Sequence, residues 1–204
     1  MATRTYRQTL RAEAAEETRR RVLDAVYERL RAAPTEPASV DRIARTARVA
    51  RSTVYLIFGS RAGLFDAVAA DLLQRGGFDR VLQAVAHPDA RETLRGGLRA
   101  STEFFAGDRD VHRALQSMSA LDASASGGAV QRSDERRSGG MAHLAQRLAD
   151  QDVLRPDVRV GEAANLLWLL TSFDAFDLLY TGRGMSVDDV AAALITTAER
   201  SLCR

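Results

Sequence analysis

The sequence contains no lysine, and Cys203 is its only cysteine. A single thiol excludes an intrachain disulfide and a cysteine-based zinc cage, and it fits a reducing compartment. Aromatic residues make up only 6% of the chain, and four prolines and fourteen glycines in 204 residues are too few for a loop-rich all-β protein. The longest mainly apolar stretch, Asn165 to Tyr180, is short for a bilayer span and carries Asp174 and Asp177. No apolar run follows Arg4, Arg7 and Arg11, so no secretory signal is expected. These absences predict a cytoplasmic chain without membrane contact. Catalytic signatures are missing too: there is no Gly-rich phosphate loop, no H-E-x-x-H and no G-x-S-x-G. His87, His112 and His143 are too far apart to form a metal-binding pair on one helix. No catalytic residue, metal or cofactor is expected.

What is present favours helix. The chain has 35 alanines, and its apolar residues recur at helical spacing almost throughout. All 29 basic residues are arginine, a uniformity that codon bias in a GC-rich genome would explain. Their placement says more. Residues 1–63 hold 13 arginines against 7 acids, and residues 64–204 hold 16 against 20. A basic head followed by an acidic body points to a polyanion met by the first third.

The periodicity predicts a first helix from about Thr9 to Ala32, ended by Pro34, and a turn over Pro34–Ser39. Two short helices near 40–47 and 51–57 come next, and a longer one opens at Ser60. Gly76-Gly77 marks the end of the head. Leu94, Leu98, Thr102 and Phe105 define a further helix that stops at Gly107, and residues 123–140, rich in Ser, Gly and Arg, read as a loop. One helix over about 158–181 and another over 187–203 close the chain, the last opened by Ser186 with Asp189 in the Glu position of a capping box. The expectation is an all-α protein of nine or ten helices.

Function is concentrated between Ser39 and Phe58. Val40, Ile43 and Ala44 form an i, i+3, i+4 face, and Ala47 keeps the helix surface low. Val54 and Phe58 supply the inward face of the next helix. Two short helices around a tight turn, with small residues at the crossing, are the helix-turn-helix pattern. The second helix, about 12 Å long, matches the width of the DNA major groove. It presents Arg51, Ser52, Thr53, Tyr55 and Leu56 outward, groups suited to phosphates, base edges and a thymine methyl. Ser39 and Arg42 on the first helix, and Arg48 in the turn, join them as DNA-contacting candidates.

The string Ile43 to Leu64, I-A-x-x-A-x-V-x-x-S-T-V-Y-x-x-F-x-S-R-x-x-L, resembles the TetR family of bacterial transcriptional regulators, and the likeness runs from about Thr18 to Leu73. The resemblance implies a three-helix DNA-binding head, here 12–74 with its helix-turn-helix at 39–58. It also implies a helical-bundle effector and dimerisation body, here 78–204. It assigns phosphate contacts to Thr53, Tyr55 and Arg61, and base reading to Arg51, Ser52 and Leu56. Three positions depart from the pattern: Arg48 stands at the usual turn glycine, Ala50 at the usual serine cap, and Ile57 at the usual His or Tyr. The implied partners are a near-palindromic operator in double-stranded DNA, a second copy of the chain bound through the last two helices, and a small-molecule effector of unknown identity. The stripe Val187, Val190, Ala191, Leu194, Ile195, Ala198 and Leu202 is wide enough for both a core and that second copy.

For the effector, a wheel over 166–180 places Trp168, Phe173 and Phe176 on one arc with Asp177 at its edge. Phe105, Met118 and Met141 come from other helices that can face them. If Asp177 faces a cavity, a cationic effector is expected. The reading is of a repressor released from DNA by its effector. Two alternatives stand beside it: a helical carrier or enzyme whose head only scaffolds, and a DNA-binding protein without an effector.

Overall fold

The computed structural model describes residues 2–34, 36, 38–121 and 128–204. The side chains of Arg4, Arg7 and Arg11, and residues 122–127 of the expected loop, lie outside the described set. Among the described residues eleven α-helices run in order: α1 (Ala2–Ala32), α2 (Val40–Thr46), α3 (Arg51–Phe58), α4 (Arg61–Arg75), α5 (Phe78–Val85), α6 (Ala90–Gly107), α7 (Arg109–Leu121), α8 (Ala129–Asp150), α9 (Val160–Leu170), α10 (Phe173–Tyr180) and α11 (Val187–Leu202). No strand occurs among the described residues beyond one isolated bridge between Leu154 and Cys203. Two compact units form, Met1–Asp71 with Arg113–Val130 and Leu72–His112 with Gln131–Arg204.

In the first unit, Val22, Val26, Tyr27 and Leu30 bury one face of α1, as their spacing requires. The Tyr27 hydroxyl, fully buried, donates to the Val68 carbonyl at 3.5 Å. Helix α2 buries Val40, Ile43 and Ala44, and α3 buries Val54 and Phe58. The turn between them is closed by two backbone bonds: Arg48 N–H donates to the Arg45 carbonyl at 3.1 Å, and Val49 N–H to the Ala44 carbonyl at 3.0 Å. That pair is the Schellman arrangement, which places one residue in the left-handed region, here Arg48 at φ +54°. Ala50 caps α3 with no side-chain bond, as an alanine must. Ser60 then opens α4, its hydroxyl accepting the Gly63 N–H at 2.9 Å. A Cβ on Gly63 would stand 2.1 Å from the Phe58 carbonyl oxygen, so only glycine fits this corner.

The second unit packs α6 against α5 and α11, with α9 and α10 against α11. Leu94, Leu98, Leu148, Leu167, Phe176, Leu194 and Leu202 lie in its continuous core. Two expectations are corrected here. Residues 129–150 are one helix, where a loop was expected over 123–140. Leu144, Ala145 and Leu148 anchor that helix in the core, and an Asp134–Arg137 pair at 2.9 Å supports its polar part, which offsets the weak propensity of Gly139 and Gly140. The single helix expected over 158–181 is two. Thr171 Oγ1 donates to the Leu167 carbonyl at 2.7 Å, and Ser172 Oγ donates to the Leu169 carbonyl at 2.7 Å. Ser172 Oγ then accepts the Ala175 N–H at 3.1 Å, capping a new helix. Arg137 donates to the Trp168 carbonyl and to Thr171 Oγ1 at the same break. At the start of α11, Ser186 accepts the Asp189 N–H at 3.1 Å, and its hydroxyl donates to Asp189 Oδ2 at 2.7 Å.

Candidate functional site

Backbone geometry in the head presents a continuous polar face. Ser39 sits exposed at the N-cap of α2 and makes no side-chain cap bond. Arg42 is exposed one turn on, its Nη1 4.0 Å from the Glu36 carboxylate. Arg45 and Arg48 are also exposed. The left-handed turn swings the chain into α3, whose Arg51 and Ser52 are exposed and whose Thr53 and Tyr55 are half-buried. Leu56, at 85% exposure, is an apolar side chain held in water with nothing of its own protein to cover it. Arg61, half-buried at the start of α4, carries its guanidinium 5.1 Å from the centre of the Phe65 ring.

Arg51 is held in place. Its Nη1 donates to both oxygens of Asp41 at 3.1 Å, its Nη2 to the Tyr55 hydroxyl at 3.4 Å, and its guanidinium lies 5.5 Å from the Tyr55 ring centre. The hydrogen bond to Tyr55, then the charge of Asp41, bind its proton more firmly than usual. The sequence reading passed over Asp41, because no helical period links positions ten apart across a turn.

The effector candidates divide. Phe105, Phe173 and Phe176 come together, with ring centres 5.5 Å apart for Phe105–Phe173 and 5.9 Å for Phe105–Phe176. Met141 packs against the same core, whereas Met118, buried, belongs to the other compact unit. Trp168 is 42% exposed, with Arg137 stacked 4.9 Å above its ring. It lines an open groove of about 740 Å³ with Ser138, Ala142 and Asn165, among others. The helix break at 171–172 explains the split, since the two halves no longer share one wheel. Asp177 is buried at 6% exposure, but its charge is spent: Arg109 donates from Nε at 2.6 Å and from Nη2 at 3.0 Å, and Thr181 donates at 2.7 Å. The pair holds the Arg109 proton more firmly, and the expected anchor for a cation is already occupied by an arginine.

His112, which the spacing of the histidines set aside as a metal ligand, is a buried residue. It is 8% exposed, within 5.6 Å, centre to centre, of the Phe104, Phe105 and Phe173 rings, and its Nε2 has no hydrogen-bond partner among the described residues. Burial pushes its pKa down from 6.5 to about 4, against the opposing pull of Asp108 and of a bond to the Phe104 backbone. Among the described residues no group of three or more His, Cys, Asp or Glu is placed to hold a metal, and no helix is long and apolar enough to cross a membrane.

An exposed polar helix opened by Arg51, behind a Schellman turn and flanked by the arginines of α2, defines the class: a helix-turn-helix DNA-binding transcriptional regulator of all-helical build. Residues 22–68 match the family described as bacterial regulatory proteins, tetR family. That match places the head, residues 22–68, in the TetR family. The fold of the chain is similar over nearly its whole length to solved structures. One is a TetR-like transcriptional regulator from Rhodococcus sp. RHA1, at 24% identity, 90% of this chain, 94% of that one and a TM-score of 0.67. Another is NalD, the secondary repressor of the MexAB-OprM multidrug efflux pump in Pseudomonas aeruginosa, at 22%, 94%, 98% and 0.68. A third is the ketosteroid transcriptional regulator KstR2 of Mycobacterium tuberculosis, at 15%, 91%, 95% and 0.68. No curated protein sequence matches the chain.

Proposed function

We propose that this protein is a dimeric repressor that binds a near-palindromic operator through residues 12–74 and is released by a small molecule bound in residues 78–204. The observation that carries the reading is the face of α2, the turn and α3, where Arg42, Arg45, Arg48, Arg51, Ser52 and Leu56 are exposed with Tyr55 half-buried among them. Gel shift and footprinting on the DNA upstream of its own gene test it. Sequence-preferring binding is expected, and affinity equal to that for random duplex would overturn it. Thr53→Ala should weaken binding to every sequence by a similar factor, because phosphate contacts position the protein without reading bases.

The effector reading rests on Phe105, Phe173 and Phe176, with Met141 beside them. Since Arg109 neutralises Asp177, a neutral ring-bearing molecule fits this cluster better than a cation. The mutual packing of the rings favours the second reading, a DNA-binding protein without an effector. A thermal-shift screen of neutral aromatics, followed by operator release, separates the two. The homodimer is assigned to α9, α10 and α11, which together are the two closing helices of the sequence, with Trp168, Leu169 and Leu178 as its exposed apolar contribution.

A further inference from the structure

The first residue of the recognition helix is the side chain best placed to enter a groove, and it is the one tied back to its own protein. Arginine is long and rotamer-rich, and an exposed one ordinarily samples many conformations. Here Arg51, with 58% of its side chain exposed, is fixed from two directions, by Asp41 on α2 and by Tyr55 one turn along α3. We propose that Asp41 is a positioning residue for base readout, holding Arg51 so that it reads a guanine in each half-site. This rests on the DNA-binding reading above and adds to it the residue that sets preference at one base.

Three features carry the inference. A guanidinium has five N–H donors, and these contacts engage only Nη1 and Nη2, leaving Nε–H and further hydrogens on the same planar fork for guanine O6 and N7. Ordering Arg51 before contact removes the entropy that would otherwise be lost on binding, and it aims the fork at one base step. Asp41 itself, 55% exposed on a face otherwise rich in cations, would repel phosphates if unpaired, and its pairing with Arg51 neutralises that charge. A simple staple between α2 and α3 would serve stability alone. A latch that withholds Arg51 from DNA would weaken all binding. The three roles make different predictions for base preference.

The test is selection from a random duplex library, followed by sequencing, with the full-length wild type, Asp41→Asn, Asp41→Glu, Arg51→Ala and the Asp41→Asn/Arg51→Ala double variant. Thermal melting of each protein confirms that it is folded. The wild type should enrich a two-fold motif with a guanine that Arg51→Ala loses, a change of roughly tenfold or more at that position. Asp41→Asn should lose most of that preference while the other motif positions stay put, and Asp41→Glu should recover part of it. In the Arg51→Ala background, Asp41→Asn should change nothing further. An Asp41→Asn motif identical to the wild type overturns the proposal. So does uniformly tighter binding, the signature of a latch, or uniformly weaker binding with a lowered melting point, the signature of a staple. A wild type that enriches no motif sinks the regulator reading itself, and this inference with it.

Discussion

Arg48 is the residue where local cost and proposed function oppose each other. A side chain at φ +54° costs about 1–2 kcal/mol relative to glycine, and the greater freedom of glycine in the unfolded chain returns part of that. Arg48→Gly should therefore raise stability by about 0.5–1 kcal/mol in a denaturant melt. It also removes an exposed cation, so the slope of log affinity against log salt should become shallower by about one. Stabilisation with an unchanged slope would mean that Arg48 does not touch phosphate. His112 makes the second residue-scale case. Its pKa is about 4 in the fold and near 6.5 when unfolded, so the unfolded chain takes up the proton first as pH drops. The stability that His112 contributes as a neutral ring is complete above pH 6.5 and lost progressively down to about pH 4, on the order of 3 kcal/mol. His112→Leu should flatten that part of the stability profile in urea melts run between pH 7 and 4.

At the scale of elements, the corner from α3 into α4 is the least tolerant point. Gly63→Ala places a methyl against the Phe58 carbonyl, a backbone atom that has nowhere to go. We expect a loss of several kcal/mol and of operator binding together, read by thermal melting and gel shift. The helix-turn-helix was legible in the sequence because Val40, Ile43, Ala44, Val54 and Phe58 obey a local period, and a period needs no knowledge of partners. The break between α9 and α10 was not, since Thr171 and Ser172 are neutral in a wheel and act only through hydroxyls that capture the carbonyls of Leu167 and Leu169. For the same reason residues 129–140 looked like a loop. Their helix is anchored by Leu144, Ala145 and Leu148 further along, and composition within a window does not register an anchor outside it. The Asp41–Arg51 and Arg109–Asp177 pairs, ten and 68 positions apart, are products of the tertiary fold.

For the whole molecule, the stripe on α11 is largely consumed within its own subunit: Val190, Ala191, Leu194, Ala198 and Leu202 are buried, with only Val187 and Ile195 left half-open. For the proposed second copy, the closing helices offer Trp168 and Leu169 on α9 and Leu178 on α10, the last 70% exposed. A Trp168→Glu/Leu178→Glu variant should therefore sediment as a monomer near 22.3 kDa and lose operator affinity sharply, since each half-site would then be bound singly. A variant that stays dimeric would move the contact elsewhere. The cations of the proposed DNA face have one further consequence. Arg42, Arg45, Arg48, Arg51 and Arg61 are all guanidinium groups, and the chain holds no ε-amine at all. Lysine acetylation, which silences charge by capping an amine, finds no substrate here, so the attraction of this face for a polyanion lies beyond the reach of that form of cellular control.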